Sequence, residues 1–160
     1  MFKKTAFIVI FIALITMLFS QTVSVESQNI EIKQGEKAQL KINIQIPDGQ
    51  HCTKQEDYLY VDIDSLTGVQ AGQTIYPQGD KKDELGNDMY YKHITLIKEI
   101  TADNNLTLGS HALKLKVGYQ FCNDEGTCLL PEEVEVPVNM NVLKGQGLDI
   151  LTILKFILLA

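Results

Sequence analysis

The sequence predicts an all-β domain, an immunoglobulin-like antiparallel β-sandwich, with an N-terminal signal segment and a short C-terminal hydrophobic helix. The first observation is a strict alternation of apolar and polar residues in several segments between residues 29 and 143, which is the period of a half-buried strand. The second is that clusters of Gly, Pro, Asn and Asp separate these segments. The third is that this region has no convincing helical period. Several short strands at this spacing predict two packed antiparallel sheets.

The first element is a predicted signal peptide over residues 1–24. Lys3 and Lys4 form a basic start, and an almost unbroken apolar run follows over residues 6–19. This run is short for a membrane span, which needs about 20 residues. We therefore predict cleavage and export of the domain that follows, with a retained N-terminal anchor as the alternative. The formal net charge of −6 excludes nucleic acid as a partner.

The sandwich itself is predicted over residues 29–143. The segments that alternate most strictly are residues 37–46, 113–121 and 134–142, and shorter ones are residues 30–33, 58–63 and 90–100. In the first of these, Leu40, Ile42 and Ile44 share one face, whereas Lys41 lies on the other. Pro137 lies inside the last segment, and because proline cannot donate to a ladder, it predicts an edge position or a bulge.

The last element is a glycine hinge and hydrophobic segment over residues 144–160. Its final part, LDILTILKFILLA, is apolar except for Asp149, Thr152 and Lys155. Two interpretations stay open. The segment is either an amphipathic helix that lies on a membrane or on the sandwich, or the start of a transmembrane helix.

Cys122 and Cys128 are separated by a five-residue acidic loop between two predicted strands. In an exported domain these cysteines can pair, either as a structural staple or as a disulfide that is made and broken. Spacing alone favours the staple. Asp124 and Glu125 in the loop disfavour a thiolate, so an oxidant that acts without a docked partner is not expected.

Cys52 is the third cysteine, and we predict that it is a buried free thiol. The alternative is a third redox or metal-binding thiol beside His51. The cysteines and His51 lack the spacing of a metal site, so no metal is predicted. The chain also has no Ser/His/Asp pattern or acidic pair that favours hydrolysis.

The stretch YQFCNDEGTCLLPEEVEVPV, residues 119–138, resembles the active-site hairpin of the N-terminal domain of the thiol:disulfide interchange protein DsbD. The residues in register are Tyr119, Gln120, Cys122, Cys128, Pro131, Glu132, Val136 and Pro137. A second block, residues 76–96, resembles the family's cap segment through Pro77, Gly79, Asp83, Glu84 and Tyr90. The chain departs from the family at Leu85, which replaces the cap aromatic, and at His51 and Thr53, which replace tyrosines near the site.

The resemblance implies a periplasmic, membrane-associated carrier of reducing equivalents of the kind involved in thiol–disulfide interchange and cytochrome c biogenesis. A thioredoxin-like domain or membrane electron-conduit protein would reduce the cysteine pair, which would then reduce disulfides in other exported proteins without a cofactor. Cys128 would attack and Cys122 would resolve. The cap would consist of Asp83, Glu84 and Leu85, and the flanking site residues would be Tyr119, Gln120, Pro131, Glu132 and His51. The alternative is a non-catalytic exported binding module with a structural Cys122–Cys128 disulfide.

Overall fold

A computed structural model of the chain describes residues 23–26, 29–64 and 66–145, which form twelve strands and no helix. The strands are β1 Val23–Val25, β2 Asn29–Lys33, β3 Lys37–Gln45, β4 Gln50–Thr53, β5 Tyr60–Ile63, β6 Val69–Ile75, β7 Lys81–Lys82, β8 Asp88–Tyr91, β9 His93–Ala102, β10 Gly109–Tyr119, β11 Cys122–Asn123 and β12 Glu132–Leu143. Most of the predicted signal peptide and the predicted C-terminal helix lie outside the described residues. Within the described part of the chain, no helix has the length and apolar character needed to cross a membrane.

The strands form three four-stranded sheets, in the orders β1-β3-β9-β6, β2-β12-β10-β5 and β11-β4-β8-β7. The first two sheets make the predicted β-sandwich, and apolar residues from both contribute to one core. The third and smallest sheet was not predicted. All its strand pairs are antiparallel, and it brings β11, with Cys122, next to β4 and β8.

The alternation predicted for the long strands is confirmed. In β3, Leu40, Ile42 and Ile44 are fully buried, whereas Lys41 between them is exposed. In β10, Leu113 and Leu115 are likewise buried. Each such side chain contributes about 1.5–3 kcal/mol by leaving water. The sandwich is therefore held by apolar side chains that project from alternate positions of its strands.

The single strand expected over residues 90–100 is divided in two, because the chain turns at Lys92. This residue has a positive φ of 64°, which is uncommon for a residue with a side chain. Its carbonyl oxygen accepts hydrogen bonds from the backbone N–H of Ile46 at 2.8 Å and from Gln45 Nε2 at 2.8 Å. Since β8 precedes this corner and β9 follows it, the chain passes here from the small sheet into the sandwich.

Pro137 lies within β12, opposite Lys114 of β10 and without a shift in register. On its other side β12 pairs with β2 only from Asn139 to Leu143. Pro137 therefore lies on the part of β12 that has no β2 partner, where a missing N–H interrupts no ladder. A bulge is not present at this position.

Candidate functional site

The candidate site is the disulfide between Cys122 and Cys128, whose sulfur atoms are 2.01 Å apart and whose Cα atoms are 3.9 Å apart. The two residues also face each other in an isolated antiparallel bridge. Cys122 is half-buried in β11, whereas Cys128 is exposed. An attacking sulfur from another protein therefore has freer access to Cys128 than to Cys122.

The loop between the two cysteines is built around Asn123. Its backbone N–H donates to the Thr127 carbonyl at 2.9 Å, and its side-chain Oδ1 accepts from the Thr127 N–H at 2.8 Å. The Asn123 carbonyl accepts from the N–H of Gly126 at 3.0 Å. Gly126 has a φ of 84°, which glycine adopts without steric cost. This turn fixes where Cys128 stands relative to Cys122.

The cysteine hairpin also contacts a strand that is distant in the sequence. Cys122 pairs with His51 and Asn123 pairs with Gln50 across the β11–β4 ladder. No sequence pattern indicates this pairing, because the two strands are short and far apart in the chain. The cysteine pair is therefore anchored to two sheets, since the flanking residues Tyr119 and Glu132 pair in the sandwich.

A cleft of about 250 Å³ opens beside the disulfide. Its walls come from β4 and the segment that follows it, from β8 and the turn between β7 and β8, and from the cysteine loop. The lining residues are His51, Thr53, Gln55, Tyr58, Asp83, Met89, Gln120, Cys122, Gly126 and Cys128. This space admits one or two side chains of a docked protein rather than a drug-sized molecule, because ligand pockets usually have about 300–1,000 Å³.

The segment predicted as a cap forms the turn between β7 and β8. The Asp83 carboxylate accepts hydrogen bonds from the backbone N–H of Leu85 at 2.9 Å, and from Asn87 N at 2.7 Å and Nδ2 at 2.9 Å. The hydrogen bonds from Asn87 lower the pKa of the Asp83 carboxyl. Asp83 also lines the cleft, whereas Glu84 is exposed and Leu85 is 84% exposed. Opening of this cap stays a prediction.

The predicted flanking residues connect the chain segment before Cys122 to the segment after Cys128. The Tyr119 hydroxyl donates to Glu132 Oε2 at 2.7 Å, and burial together with this bond raises the pKa of Tyr119 to about 12. Gln120 Nε2 donates to the Leu129 carbonyl at 2.8 Å. Pro131, between Leu129 and Glu132, is exposed. These contacts tie the chain before Cys122 to the chain after Cys128.

Cys52 is a free thiol with no exposed surface, as predicted. Its Sγ donates to the Gln120 carbonyl at 3.1 Å, and burial raises the pKa of the thiol to about 11. A thiol with so high a pKa carries almost no thiolate at neutral pH. Among the described residues, no group of three or more His, Cys, Asp or Glu side chains is placed to hold a metal ion.

We expect Cys52 to destabilise the fold at alkaline pH. Its pKa is about 11 in the folded protein against an ordinary value of 9.0, so the stability that it contributes is full below pH 9 and is lost as the pH rises through 11. Two pKa units correspond to about 2–3 kcal/mol. Urea unfolding of wild type and Cys52→Ala between pH 8 and 11 measures this loss of stability. The tyrosines titrate in both proteins, so the difference between the two reports Cys52 alone. Parallel loss of stability in the two proteins would contradict the prediction.

Tyr91 also belongs to the site, although it is not among the predicted site residues. Its hydroxyl donates to Asp124 Oδ1 at 2.8 Å, and burial and this carboxylate raise the pKa of Tyr91. Its ring lies 5.4 Å from that of His51, and Lys81 Nζ lies 4.7 Å from the ring centroid. No sequence pattern indicates this role, because it depends on the β4–β8 register, which places Tyr91 opposite His51.

Comparison with known proteins identifies one family. Residues 20–139 match the family model of the thiol:disulfide interchange protein DsbD, N-terminal. The reduced DsbD N-terminal domain of Neisseria meningitidis is 20% identical, with 71% of this chain and 82% of that chain covered and a TM-score of 0.47. A structure of the complex between the DsbD N-terminal and PilB N-terminal domains of Neisseria meningitidis gives 21% identity, 62% and 73% coverage and a TM-score of 0.45. A search of curated proteins found no match. Because the family model covers three quarters of the sequence, the chain belongs to the family of DsbD N-terminal domains.

Proposed function

We propose that this domain is an exported carrier of reducing equivalents that works through the Cys122–Cys128 pair. A thioredoxin-like domain or membrane electron-conduit protein reduces the pair, and the reduced pair then reduces disulfides of other exported proteins. The observation that carries the proposal is an exposed Cys128, disulfide-bonded beside a cleft, in a chain of the DsbD N-terminal family.

The exchange proceeds through a mixed disulfide. The Cys128 thiolate attacks one sulfur of the partner's disulfide, and the partner's other sulfur leaves as a thiolate. The Cys122 thiolate then attacks Cys128 Sγ, which restores the Cys122–Cys128 bond and releases the partner's second sulfur. Two electrons and two protons pass to the partner, and the reverse sequence with a reduced thioredoxin-like partner recharges the pair.

The position of the disulfide favours exchange over a staple. Closing so short a loop contributes only about 2–3 kcal/mol on the chain-entropy model. The core of the sandwich consists of buried apolar residues of the long strands. The disulfide instead joins two residues of the segment between β10 and β12. Exposed disulfides are also the more readily reduced ones.

The reduction potential of the pair tests the proposal. We expect a value above about −300 mV, the limit below which structural disulfides typically lie. The measurement equilibrates the protein in a series of glutathione or thioredoxin buffers and quantifies the reduced fraction by alkylation and mass spectrometry. A value below that limit, with no mixed disulfide trapped by the Cys122→Ser variant, would support the structural-staple alternative instead.

We expect exposed leucines beside Cys128 to take part in docking. Leu129 is 53% exposed and Leu130 is 86% exposed, and apolar side chains form the buried core of protein–protein interfaces. Leu130→Asp should slow exchange with a thioredoxin-like protein about tenfold, because an interface apolar residue contributes on the order of 1 kcal/mol. Reduction by dithiothreitol, which needs no docking, should keep its rate.

Leu108→Asp is the matched control for this prediction. Leu108 is 52% exposed and precedes β10, whose opposite end leads to the cysteines. It should leave both rates unchanged. Equal slowing of the protein and dithiothreitol reactions by Leu130→Asp would show that the leucine supports the loop rather than a docked partner.

The proposed location follows from the same function. The domain, residues 29–143, would work in the periplasm after export by residues 1–24. Residues 144–160 would give it contact with the membrane where its electron donor lies. Fractionation of cells that produce the full chain, followed by N-terminal sequencing, tests the location and the cleavage together.

A further inference from the structure

His51 is a buried imidazole at the edge of the cysteine cleft. Its exposed fraction is 6%, and its Nδ1 has no hydrogen-bond partner among the described residues. A buried polar atom without a partner destabilises the folded state. His51 therefore destabilises the fold as long as its Nδ1 has no partner. Protonation of the imidazole is one process in which this nitrogen would take part.

The strand register places His51 beside Cys122. The two residues are Cα partners in the antiparallel β4–β11 ladder, so their side chains project from the same face with Cβ atoms roughly 4.5–5.5 Å apart. Both also line the cleft. Cys52, the next residue of β4, points to the opposite face and is buried in the core.

The groups around His51 are arranged to accept a positive charge. Asp124 Oδ1 lies 3.6 Å from His51 Nδ1, and the Tyr91 hydroxyl holds the same oxygen at 2.8 Å. Asp83 lines the cleft from the β7–β8 turn. One cation is also near, because Lys81 Nζ lies over the Tyr91 ring. An imidazolium would thus face the Asp124 carboxylate with its Nδ1–H.

Cys122 is the thiol whose deprotonation requires a general base. It is half-buried, and Asp124 and Glu125 follow it closely in the chain, so that negative charge disfavours its thiolate. Apart from the cysteines, the titratable residues that line the cleft are His51, Tyr58 and Asp83. Among these side-chain types, only histidine ordinarily changes its charge between pH 5 and 8.

We propose that His51 is the proton acceptor for Cys122 in the resolving step, and the proton donor to Cys122 in the reverse step. The proposal rests on the function proposed above. When the mixed disulfide is resolved, the Cys122 proton passes to the imidazole, the Cys122 sulfur bonds to Cys128 Sγ, and the partner's sulfur leaves as a thiolate. When a partner thiolate attacks Cys128 Sγ instead, the imidazolium returns its proton to the departing Cys122 sulfur.

The test follows resolution directly, with glutathione disulfide as the probe. Reduced protein forms a glutathione adduct at Cys128, and acid quenching with mass spectrometry gives the rate at which the adduct disappears between pH 5 and 9. The wild-type rate should rise through a step between pH 5 and 8. In His51→Gln the step should vanish and the rate at pH 7 should fall about 10²-fold, the lower end for proton transfer by a side chain.

Two further variants make the result specific. His93→Gln, which changes an exposed histidine, should keep the wild-type profile. Asp124→Asn should alter this profile, because it removes the carboxylate that faces the imidazolium; this loop variant also gives a test if His51→Gln does not fold.

The outcomes separate the two proposals. Adduct formation with an unchanged pH step in His51→Gln and in Asp124→Asn would overturn the role of His51 and leave the carrier function standing. If neither wild-type protein nor Cys122→Ser forms an adduct at Cys128, the carrier function fails, and the inference fails with it. A slower reaction whose pH step is retained would reduce His51 to a packing residue and would also overturn the proposal.

Discussion

Replacement of Cys128 by serine should abolish thiol–disulfide exchange, whereas replacement of Cys122 by serine should leave the domain covalently attached to its partner. Cys128 is exposed and Cys122 is half-buried in a strand pair with β4, so the first contact with a partner sulfur falls to Cys128. Without Cys128 no mixed disulfide forms. Without Cys122 the mixed disulfide forms and lacks the thiol that resolves it.

Non-reducing gel electrophoresis with a thioredoxin-like protein or glutathione disulfide measures both results. The adduct should accumulate to most of the protein in Cys122→Ser and should be undetectable in Cys128→Ser. Cys52→Ala is the matched control, because the buried Cys52 should leave exchange unchanged. An adduct that forms through Cys122 in the Cys128→Ser variant would reverse the two roles, and no adduct in either variant would favour a structural disulfide.

The sandwich could be predicted because its long strands are buried on one face only. In β3 the buried Leu40, Ile42 and Ile44 alternate with polar residues, and this period is written locally in the sequence. The same holds for β10 and β12. The cysteine hairpin was found through its resemblance to the DsbD N-terminal family, since spacing alone favoured a staple.

The small sheet could not be predicted, because its strands are short and its pairs are distant in the chain. β11 comprises only Cys122 and Asn123, and β7 only Lys81 and Lys82; two residues carry no readable period. The pairing of Cys122 with His51 depends on how β4 leaves the sandwich, and this is set by tertiary packing. For the same reason the contact of Tyr91 with Asp124 left no signal in the sequence.

The arrangement separates the fold from the chemistry. β10 is a central strand of the sandwich between β12 and β5, and the segment that contains both cysteines begins where β10 ends. We therefore expect β10 to keep both of its neighbours when the disulfide opens. A carrier of reducing equivalents needs a fold that persists in the reduced form, because its disulfide is reduced and re-formed in every cycle.

Leu115→Ala should therefore destabilise the domain more than reduction of its disulfide. Leu115 is fully buried and lies opposite Val136 of β12 and Ile63 of β5. Truncation of a leucine at such a site costs about 2–5 kcal/mol, a large part of the 5–15 kcal/mol that is typical of a domain. Reduction should cost about 2–3 kcal/mol, the contribution of so short a loop.

Urea unfolding of oxidised and reduced protein, followed by circular dichroism, compares the two effects on one scale. The control is Lys114→Ala in the same strand, whose exposed ammonium lies 3.1 Å from Glu135 Oε2; it should change the unfolding free energy by less than about 1 kcal/mol. If reduction alone unfolded the domain while Leu115→Ala had little effect, the disulfide would be holding the fold, and a domain of that kind could not cycle between its dithiol and disulfide forms. Because the apolar core lies in the long strands and the cysteines lie beyond their ends, we expect the opposite order.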